Sequence, residues 1–362
     1  MNLAVDARLM AGHPRGMGQF ARALVAGFPP DQIMALLPAG HEAHDWPAKS
    51  CGWGFFPWWE QFVLPNLARE VRASHLLCPS NTGPILPIRG IKTIAVIHDL
   101  IYLEPFSRLR YSPSPYQNFG RLYRRAVAPR LIAHADHIIT VSHFTKSQLE
   151  QNFDVSQERM TVIPNSLSED WFVTTPLEDC ERQRYLFTVA GEAPSKNVGR
   201  LLEGFAAFRN STREKDLILK IAGISPSYHP VFRAKAEALG ISNAVDFLGR
   251  CDLPTLRNLY QMCWGFIFAS LYEGFGIPLL EAMASGAPAA CSNTTSLPEV
   301  ASDSAILFDP REKDAIGQAI KLLCEDRQER IARAAKGLAA ARQYNQHEVG
   351  ARIRQFWQEQ GA

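Results

Sequence analysis

Short apolar runs of strand-like composition alternate with longer amphipathic, helix-like runs along almost the whole chain. Such alternation is typical of parallel sheets with helices on both faces, because each pair of parallel strands needs a crossover connection. The pattern occurs twice in 362 residues and predicts an α/β protein with two Rossmann-like domains. The strand-like runs are residues 1–5, 33–37, 75–78, 93–97, 137–141 and 161–163, then 185–189, 217–222, 245–248, 265–269, 287–291 and 305–308.

A polar, acid-rich stretch that contains Pro176 separates the two sets of strands. We therefore expect an N-terminal Rossmann-like domain over residues 1–167, a linker over 168–184 and a C-terminal Rossmann-like domain over 185–345. The last helical pattern, about 346–362, is expected to pack back on the first domain. Ligands of open α/β sheets bind beyond the carboxyl ends of the strands, so two facing sheets predict an active site in the cleft between the domains.

Composition excludes several other classes of protein. The formal net charge is +2, so no strong field favours nucleic acid as a partner. The seven scattered cysteines form no C-x-x-C pair, which indicates reduced thiols rather than a disulfide framework or a zinc site. The first residues are too polar for a signal peptide, and no apolar run of about 18 residues could span a membrane. We therefore expect a cytoplasmic protein.

The most informative motif follows a buried strand-like run and reads E-G-F-G-I-P-L-L-E-A-M-A-S-G over residues 273–286. Pro278 suits the first turn of a helix, and Gly286 suits its end. Free amides and a partial positive charge at such a helix start favour a diphosphate. Glu273 precedes the helix and could reach a sugar, whereas Glu281, about one turn in, could accept hydrogen bonds from ribose hydroxyls. The alternative is a glycine-rich turn with two surface glutamates.

Three further motifs follow strand-like runs. Lys196 lies just before a predicted helix and could neutralise phosphate oxygens, or it could be a solvated lysine. His98, followed by Asp99, could be an acid, a base or an orienting group, or a structural histidine beside a capping aspartate. The stretch G-H-P-R-G-M-G at 12–18 is not a G-x-G-x-x-G fingerprint, so it does not favour a nicotinamide cofactor. It still allows a helix N-terminus to approach a ligand.

Two clusters remain, one basic and one aromatic. Arg121, Arg124 and Arg125 fall within two turns of one predicted helix, where they could contact an anionic membrane surface or a pyrophosphate acceptor. A solvated basic face is the alternative. The aromatic cluster could bind sugar or lipid, but rings this dense are more typical of core or interdomain packing. Its members are Trp53, Phe55, Phe56, Trp58 and Trp59.

Together these motifs resemble glycosyltransferase family 4, which has the two-domain GT-B fold. The resemblance implies that residues 1–167 form the acceptor domain and residues 185–345 the nucleotide-sugar donor domain. In that family two glutamates separated by seven residues mark the donor site, and Glu273 and Glu281 match that spacing. The downstream segments S-L-P-E-V and L-F-D-P resemble family landmarks and lie at 296–300 and 307–310. Segments of the first half that resemble bacterial mannosyl- and rhamnosyltransferases lie at 96–99, 135–142 and 162–165.

The resemblance implies a role for each matching residue. Glu281 would bind the donor ribose, and Glu273 would hold the transferred sugar. Lys196 would neutralise the diphosphate, and His98 would lie against the sugar near the reaction centre. The remaining donor residues implied are Gly16, Met17 and Gly18 at the diphosphate, the amides of Gly274, Phe275, Gly276 and Ile277 at the sugar, and Leu253 within the segment that passes the nucleobase.

One position departs from the family pattern. Bacterial relatives carry Arg-Lys-Asn after a Val-Gly at this strand end, whereas this chain has S-K-N at 195–197 and Ala190 in place of the glycine. One phosphate-binding cation of the family is therefore missing, and Arg250 could substitute for it from the neighbouring loop.

The resemblance implies a metal-independent hexosyltransferase that transfers a sugar from a nucleoside-diphosphate sugar to a hydroxyl, with retention at the anomeric carbon and without a cofactor. GDP-mannose is the leading donor, and dTDP-rhamnose and UDP-sugars are alternatives. The acceptor would be a polysaccharide or a polyprenyl-linked oligosaccharide, reached at the cytoplasmic face of the inner membrane through a peripheral contact. Two other classes remain open: a non-catalytic GT-B subunit that binds glycan or a partner enzyme, and an epimerase or phosphorylase of the same fold.

Overall fold

The structure, a computed structural model, describes residues 2–12, 16–42 and 45–361. It divides into two compact units. Unit 1 contains Met1–Glu104, Pro115–Ser166 and Gln346–Ala362, and unit 2 contains Pro105–Ser114 and Leu167–Asn345.

Seven strands of unit 1 form a parallel sheet within the described residues. They are β1 (Leu3–Asp6), β2 (Ile33–Leu37), β3 (Ala48–Ser50), β4 (His75–Cys78), β5 (Lys92–Ile97), β6 (His137–Thr140) and β7 (Met160–Val162). Their order is β3-β2-β1-β4-β5-β6-β7, and Leu3 of β1 pairs with Ile33 on one side and His75 on the other. The strand order therefore reverses at β1 and β4, and a ligand site is expected beyond their carboxyl ends.

Helices flank this sheet, and buried apolar residues such as Leu67, Leu131 and Leu149 join three of them to its core. They are α1 (Met17–Ala26), α2 (Phe56–Trp58), α3 (Leu64–Glu70), α4 (Pro115–His134) and α5 (His143–Phe153), with a π-helical turn at Trp59–Val63. The α5 helix begins at Ser142, whose hydroxyl accepts from the Thr145 amide and so caps one of the free N–H groups. The core of the unit includes Leu36, Leu76 and Ile138, all fully buried.

Unit 2 has its own parallel sheet of six strands within the described residues. The strands are β8 (Tyr185–Val189), β9 (Ile218–Ala222), β10 (Val245–Gly249), β11 (Gly265–Phe268), β12 (Ala289–Ser292) and β13 (Ala305–Phe308). The helices are α6 (Val198–Ser211), α7 (His229–Ala238), α8 (Leu253–Met262), α9 (Ile277–Ala284), α10 (Leu297–Ala301), α11 (Lys313–Glu325) and α12 (Arg327–Ala341). The order β10-β9-β8-β11-β12-β13 reverses at β8 and β11.

The stretch 168–184, which the sequence predicts as a linker, packs against unit 2. The Arg182 side chain is buried and donates to the carbonyl oxygens of Cys263 at 3.1 Å and Gly286 at 2.9 Å. Trp171 is also buried. This stretch is therefore held by side-chain contacts and belongs to the body of unit 2.

The last helix, α13 (Gln346–Glu359), belongs to unit 1. The indole N–H of its Trp357 donates to the Leu24 carbonyl at 2.8 Å, and the ring packs edge-on against Phe28 at 4.9 Å. No helix in the described part of the chain is long and apolar enough to cross a membrane.

The two parallel sheets confirm the predicted α/β class, and every predicted strand-like run overlaps a strand. The prediction omitted β3, whose alanine, lysine and serine are partly or fully exposed and show no apolar alternation.

Candidate functional site

The loop after β8 is fixed at the carboxyl edge of the unit 2 sheet. It contains a tight turn at Pro194–Lys196, and Asn197 follows in the left-handed region at φ +56°. The Asn197 side-chain amide donates to the carbonyl oxygens of Ala269 at 3.0 Å and Pro310 at 2.8 Å, which follow β11 and β13. This amide therefore joins three strand ends and positions Lys196 just before α6.

The structure brings Lys196 and Glu273 together as an ion pair within unit 2. The Lys196 ammonium nitrogen lies 2.6 Å from Oε1 of Glu273, and the two side chains are 30% and 13% exposed. The pair is therefore partly desolvated but still reachable by a ligand. Both residues follow the two strands at which the sheet order reverses, where a ligand site is expected.

Ser195 occupies the position at which the family resemblance implies an arginine. It is buried, and its carbonyl accepts from the Leu271 amide at 2.7 Å. Its backbone therefore joins the two loops of the candidate site. Arg250 is exposed directly after β10, two strands from β8 in the sheet. Its substitution for the missing arginine stays a prediction, as does the nucleobase contact of Leu253, which is 48% exposed at the start of α8.

The loop that precedes α9 is held by the segment at 294–297. The buried Ser296 hydroxyl lies 2.9 Å from the carbonyl oxygens of Glu273 and Phe275, and the Glu273 amide donates to Thr295 Oγ1 at 3.1 Å. Gly276 adopts φ +109°, and a Cβ there would lie 2.6 Å from a methyl carbon of Leu297. Glycine is therefore required at position 276 by both backbone conformation and space.

The predicted boundaries of α9 are close to the observed ones. The helix begins at Ile277 with Pro278 at its second position, and Gly286 adopts φ +68° just beyond its end. The ring of Phe275 is buried and packs edge-on against Tyr344 at 5.4 Å, so the backbone of this residue is what remains for a ligand. The free amides at the start of α9 point away from the helix and suit an anion.

Glu281 lies one turn into α9 and accepts a hydrogen bond from the Tyr260 hydroxyl at 2.8 Å. Burial raises the pKa of Glu281 to about 7, although the Tyr260 hydrogen bond and the nearby Arg257 lower it. The fully buried Tyr260 ring packs against Trp171 at 5.9 Å, and the Arg257 guanidinium lies 5.1 Å above that indole. Tyr260, Arg257 and Trp171 thus form the surroundings of Glu281.

Sequence reasoning missed these three residues. Tyr260 is 21 positions from Glu281 and lies on a different helix, so no spacing pattern links the two. The available signal was the amphipathic pattern of residues 253–262, which places Arg257 and Tyr260 three positions apart on one helical face.

His98, at the carboxyl end of β5, is buried in unit 1. Its Nε2 lies 2.9 Å from the Pro79 carbonyl, and since a carbonyl only accepts, Nε2 carries the proton and Nδ1 is the acceptor. Burial lowers the pKa of His98 to about 4, so the ring is neutral at physiological pH. Its backbone N–H donates to Asn81 Oδ1 at 2.6 Å. The role of His98 at a sugar stays a prediction.

The glycine-rich stretch after β1 differs from a simple loop. Residues 13–15 lie outside the described part of the chain. Gly16 adopts φ +49° at the N-cap of α1. Met17 and Gly18 form the first turn of the helix itself, and Gly18 is buried there. The α1 helix brings Phe20 within 5.3 Å of the His98 ring, so these two predicted parts of the site are neighbours within unit 1.

A buried charged cluster lies at the strand reversal of unit 1, and the sequence analysis did not identify it. Arg8 donates to Asp6 Oδ2 at 2.8 Å and to Glu60 Oε1 at 2.5 Å. Glu60 also accepts from the hydroxyls of Thr82 at 2.9 Å and Tyr123 at 2.8 Å. Burial raises the pKa of Glu60, while Arg8 opposes that shift. A D-x-R spacing directly after β1 was the available signal.

Two of the three clustered arginines contact the backbone of their own unit. Arg121 donates to the Glu104 carbonyl at 2.6 Å, and Arg125 lies 3.4 Å from the Leu103 carbonyl and 3.3 Å from that of Glu104. These carbonyls end a short 3-10 turn, where cations are favourable. Arg124 lies over Gly120 on α4. The acceptor or membrane role of the three arginines stays a prediction.

Within residues 2–12, 16–42 and 45–361, no group of three or more His, Cys, Asp or Glu side chains is placed to hold a metal ion. Metal-independent action itself stays a prediction.

Two family descriptions match nearly consecutive parts of the chain. "Glycosyltransferase Family 4" matches residues 18–171, and "Glycosyl transferases group 1" matches residues 176–338. The first therefore falls almost wholly in unit 1 and the second wholly in unit 2.

Relatives with similar sequences are bacterial. O-antigen chain mannosyltransferase B of Escherichia coli is 29% identical over 273 residues, which are 72% of this chain and 68% of the relative. O-antigen chain mannosyltransferase RfbU of Salmonella typhimurium is 26% identical over 68% of this chain and 64% of its own length. The serotype-specific mannosyltransferase WbdA of E. coli is 29% identical over 65% of this chain, but the match spans only 29% of WbdA.

Solved structures with the same fold have little sequence identity. Anabaena HepE in complex with UDP and glucose has a TM-score of 0.73 at 15% identity and covers 99% of this chain and 100% of that one. WaaG, a glycosyltransferase of lipopolysaccharide biosynthesis, has a TM-score of 0.72 at 14% identity over 98% and 99% of the two chains.

The two parallel sheets and these structural neighbours define a two-domain α/β glycosyltransferase fold of the GT-B type. The two family matches then specify the group further. The chain belongs to the family 4 glycosyltransferases.

Proposed function

We propose that this protein transfers a sugar from a nucleoside-diphosphate sugar to a hydroxyl of a bacterial cell-surface polysaccharide or lipid-linked oligosaccharide. Mannose from GDP-mannose is the specific reaction that we propose, since O-antigen mannosyltransferases are among the relatives. The observation that carries the proposal is the Lys196–Glu273 pair at 2.6 Å, directly before the N-terminus of α9.

The chemistry needs stabilisation of charge on the departing diphosphate. In the proposed reaction the bond from the anomeric carbon to the diphosphate oxygen breaks, and the acceptor oxygen bonds to the same face of that carbon. The acceptor proton passes to the departing phosphate oxygen. Lys196 and the free amides of α9 would stabilise the negative charge that develops there, so no metal ion is required in this scheme.

Glu273 would hold the transferred sugar while orienting Lys196. The Glu273 carboxylate accepts a hydrogen bond from the Lys196 ammonium group and would keep it in one position. The free energy needed to reorganise Lys196 when the diphosphate binds would then be smaller. Glu281 would accept from the donor ribose, and Tyr260 would fix its orientation. The resemblance also assigns His98 and residues 16–18 to the donor, and these remain proposals.

A donor panel tests the reaction. Purified protein with EDTA is offered GDP-mannose, dTDP-rhamnose and UDP-sugars together with an oligosaccharide acceptor, and the product anomer is read by NMR. We expect turnover of GDP-mannose with retention. No turnover of any donor, or an inverted product, would contradict the proposal.

A matched pair of lysine variants distinguishes a role of Lys196 in the reaction from the general effect of losing a lysine in unit 2. Lys196→Ala should lower turnover by roughly 100-fold, because it removes a charge that stabilises the leaving group. Lys235→Ala is the control, since Lys235 forms an ion pair of 2.7 Å with Glu203 elsewhere in unit 2. Equal activity of the two variants would exclude Lys196 from the reaction.

A second candidate function is that of a non-catalytic subunit that binds glycan or a partner enzyme. The serine at position 195 favours it, because bacterial relatives place a phosphate-binding arginine there. Calorimetric titration with GDP and with UDP distinguishes the two functions, since a scaffold need bind neither. Binding of GDP over UDP would also favour the mannosyl donor, whereas the reverse preference would favour a UDP-sugar.

We also propose that the reaction takes place at the cytoplasmic face of the inner membrane, where the protein would reach a lipid-linked acceptor.

A further inference from the structure

Unit 1 exposes an unusually aromatic surface, here called the aromatic face. Its members come from the loop and turns around α2 and from the start of α4. Their exposed fractions range from 41% to 72%, although large apolar side chains are normally buried. The aromatic face consists of Trp53, Phe55, Trp58, Phe62, Tyr116 and Phe119.

The rings are packed together rather than scattered. Trp53 contacts Phe55 at 5.2 Å, Phe55 stacks on Phe119 at 6.3 Å, and Trp58 contacts Phe62 at 4.5 Å. Phe56 lies among them, 5.7 Å from Phe119. Trp53, Phe55, Phe56 and Phe119 therefore form one continuous cluster that joins the α2 segment to α4, and Trp58 and Phe62 form a second pair on the same chain segment.

Buried polar contacts support the patch from below. Phe56 packs edge-on against Tyr123 at 4.8 Å, and the Tyr123 hydroxyl donates to the buried Glu60. Glu60 is in turn paired with Arg8 at 2.5 Å. The exposed rings thus rest on the charged cluster of unit 1, which keeps them in place while they remain exposed.

The exposed charges within the two segments that carry the aromatic face are of one sign. Residues 46–59 and 115–134 contain no aspartate or glutamate, and Glu60 between them is buried. Arg124 lies over Gly120, on the same stripe of α4 as Tyr116 four residues before it. The patch is therefore apolar and flanked by positive charge, with no exposed acid in either segment.

We propose that the aromatic face is a membrane-docking surface that inserts its rings into the headgroup region of an anionic bilayer. Tryptophan and tyrosine favour that region because their rings are apolar at one end and polar at the other. Positive charge beside the rings complements anionic lipid. Glu60 and Gln61 beneath the rings bond to groups of their own unit, whereas the amide of Gln117 is exposed beside Tyr116. Glycan binding is therefore one of the outcomes that the experiment below separates from membrane docking.

This inference revises the contact predicted from the arginine cluster. Two of those arginines donate to backbone carbonyls, which fixes their side chains but leaves their positive charge in place. The apolar rings would therefore contribute the main attraction, and the arginines would add an electrostatic part. The surface lies within unit 1, and its proposed function does not depend on the proposed sugar transfer. Measurements of lipid binding and of transferase activity can therefore contradict one proposal without contradicting the other.

Vesicle flotation tests the inference with the full-length protein. Vesicles are made from phosphatidylcholine alone or mixed with phosphatidylglycerol. The test variant replaces Trp53, Phe55 and Phe119 by serine. The control variant replaces three exposed apolar residues of unit 2 by serine, namely Val231, Leu322 and Ile331, which are 65%, 42% and 41% exposed. Circular dichroism checks that both variants are folded.

We expect the wild-type protein to float with the vesicles that contain phosphatidylglycerol, and salt to weaken that binding without abolishing it. The test variant should bind at least about tenfold more weakly, because three apolar side chains are lost from the interface, and the control should bind like the wild type. Arg124→Glu should weaken binding to the anionic vesicles alone.

Three results would overturn the inference. They are the absence of wild-type flotation, equal flotation of the test variant and the wild type, and a dimer in sedimentation velocity that the test variant loses without any lipid binding. The last result would assign the aromatic face to a second copy of the chain. Loss of affinity for soluble oligosaccharide in the test variant, with no vesicle binding by the wild type, would assign it to glycan.

Discussion

At the scale of single residues, Glu281 is a carboxyl group whose charge changes near neutral pH. Burial raises its pKa from 4.5 to about 7, even though Tyr260 and Arg257 oppose that shift. The folded state therefore binds a proton more tightly than the unfolded state does. The stabilisation from that proton is fully present below about pH 4.5 and is lost as the pH rises through about 7.

Glu281→Gln should therefore stabilise the protein at high pH, because glutamine mimics the protonated acid and still accepts from Tyr260. The gain in unfolding free energy should be about 2 kcal/mol larger near pH 8 than near pH 5. Urea unfolding at the two pH values measures it. The control is Glu237→Gln, an exposed residue of α7, which should show no such difference. Equal gains at both pH values would contradict the raised pKa of Glu281.

The two glutamates of the motif should differ in their kinetics. Glu281→Ala removes a ribose acceptor and leaves the buried Tyr260 hydroxyl unpaired, so it should raise KM for the donor by about 10- to 100-fold with a smaller change in kcat. Glu273→Ala releases Lys196 and should mainly lower kcat, by about 100-fold. Steady-state kinetics with varied donor separates the two effects. Equal changes in both variants would contradict this division of roles.

At the scale of elements, the turn into α9 depends on one glycine. Gly276→Ala places a Cβ at φ +109° and 2.6 Å from a Leu297 methyl, so it should cost about 2–3 kcal/mol and displace the amides proposed to bind diphosphate. The unfolding free energy and the affinity for GDP measure the effect. Adding Leu297→Ala should relieve the contact but not the backbone strain, so GDP affinity should recover only in part. Full recovery would show that the φ value is not limiting.

The elements also show what could be read from the sequence. Strands such as β8 and β11 are short apolar runs with helical patterns after them, so the alternation alone located them. The Glu273–Glu281 segment was informative because its glycines, proline and glutamates lie within one strand–loop–helix unit. Local patterns of this kind are set by neighbouring residues, and the sequence displays them directly.

Contacts between distant segments could not be read in the same way. Arg8 meets Glu60, 52 positions away, and Tyr260 meets Glu281 on another helix. The periodicity of apolar residues does not indicate such pairs, because the order of the strands brings the two residues together only after folding. The exposed rings of the aromatic face were expected to be packed for a similar reason. The sequence of a dense aromatic run does not show whether a later helix will cover the rings. In this protein α4 packs beside them and leaves them exposed.

At the scale of the whole molecule, the chain leaves unit 1 briefly at 105–114 and again at Leu167, where it builds most of unit 2, and it returns to unit 1 in α13. Unit 1 is therefore complete only after the last helix has been made. The returning helix is held by Phe356 and Trp357, both 1% exposed, and by the close approach of Ile353 to Gly27. These contacts connect the two ends of the chain, so the stability of unit 1 should depend on its C-terminal residues.

Trp357→Ala should lower the unfolding free energy of unit 1 by about 3–5 kcal/mol, because it removes a large buried ring and leaves the Leu24 carbonyl without its donor. Trp357→Phe should cost less, since it keeps most of the packing against Phe28 and loses only the indole N–H. Arg352→Ala, at an exposed position of the same helix, is the control and should change stability by less than about 0.5 kcal/mol. Urea unfolding followed by circular dichroism measures the change, and limited proteolysis with mass spectrometry assigns the first segments to open. Early cleavage in Trp357→Ala should fall within unit 1. Cleavage that begins in unit 2, or an unfolding curve like that of the wild type, would show that α13 does not complete the fold of unit 1.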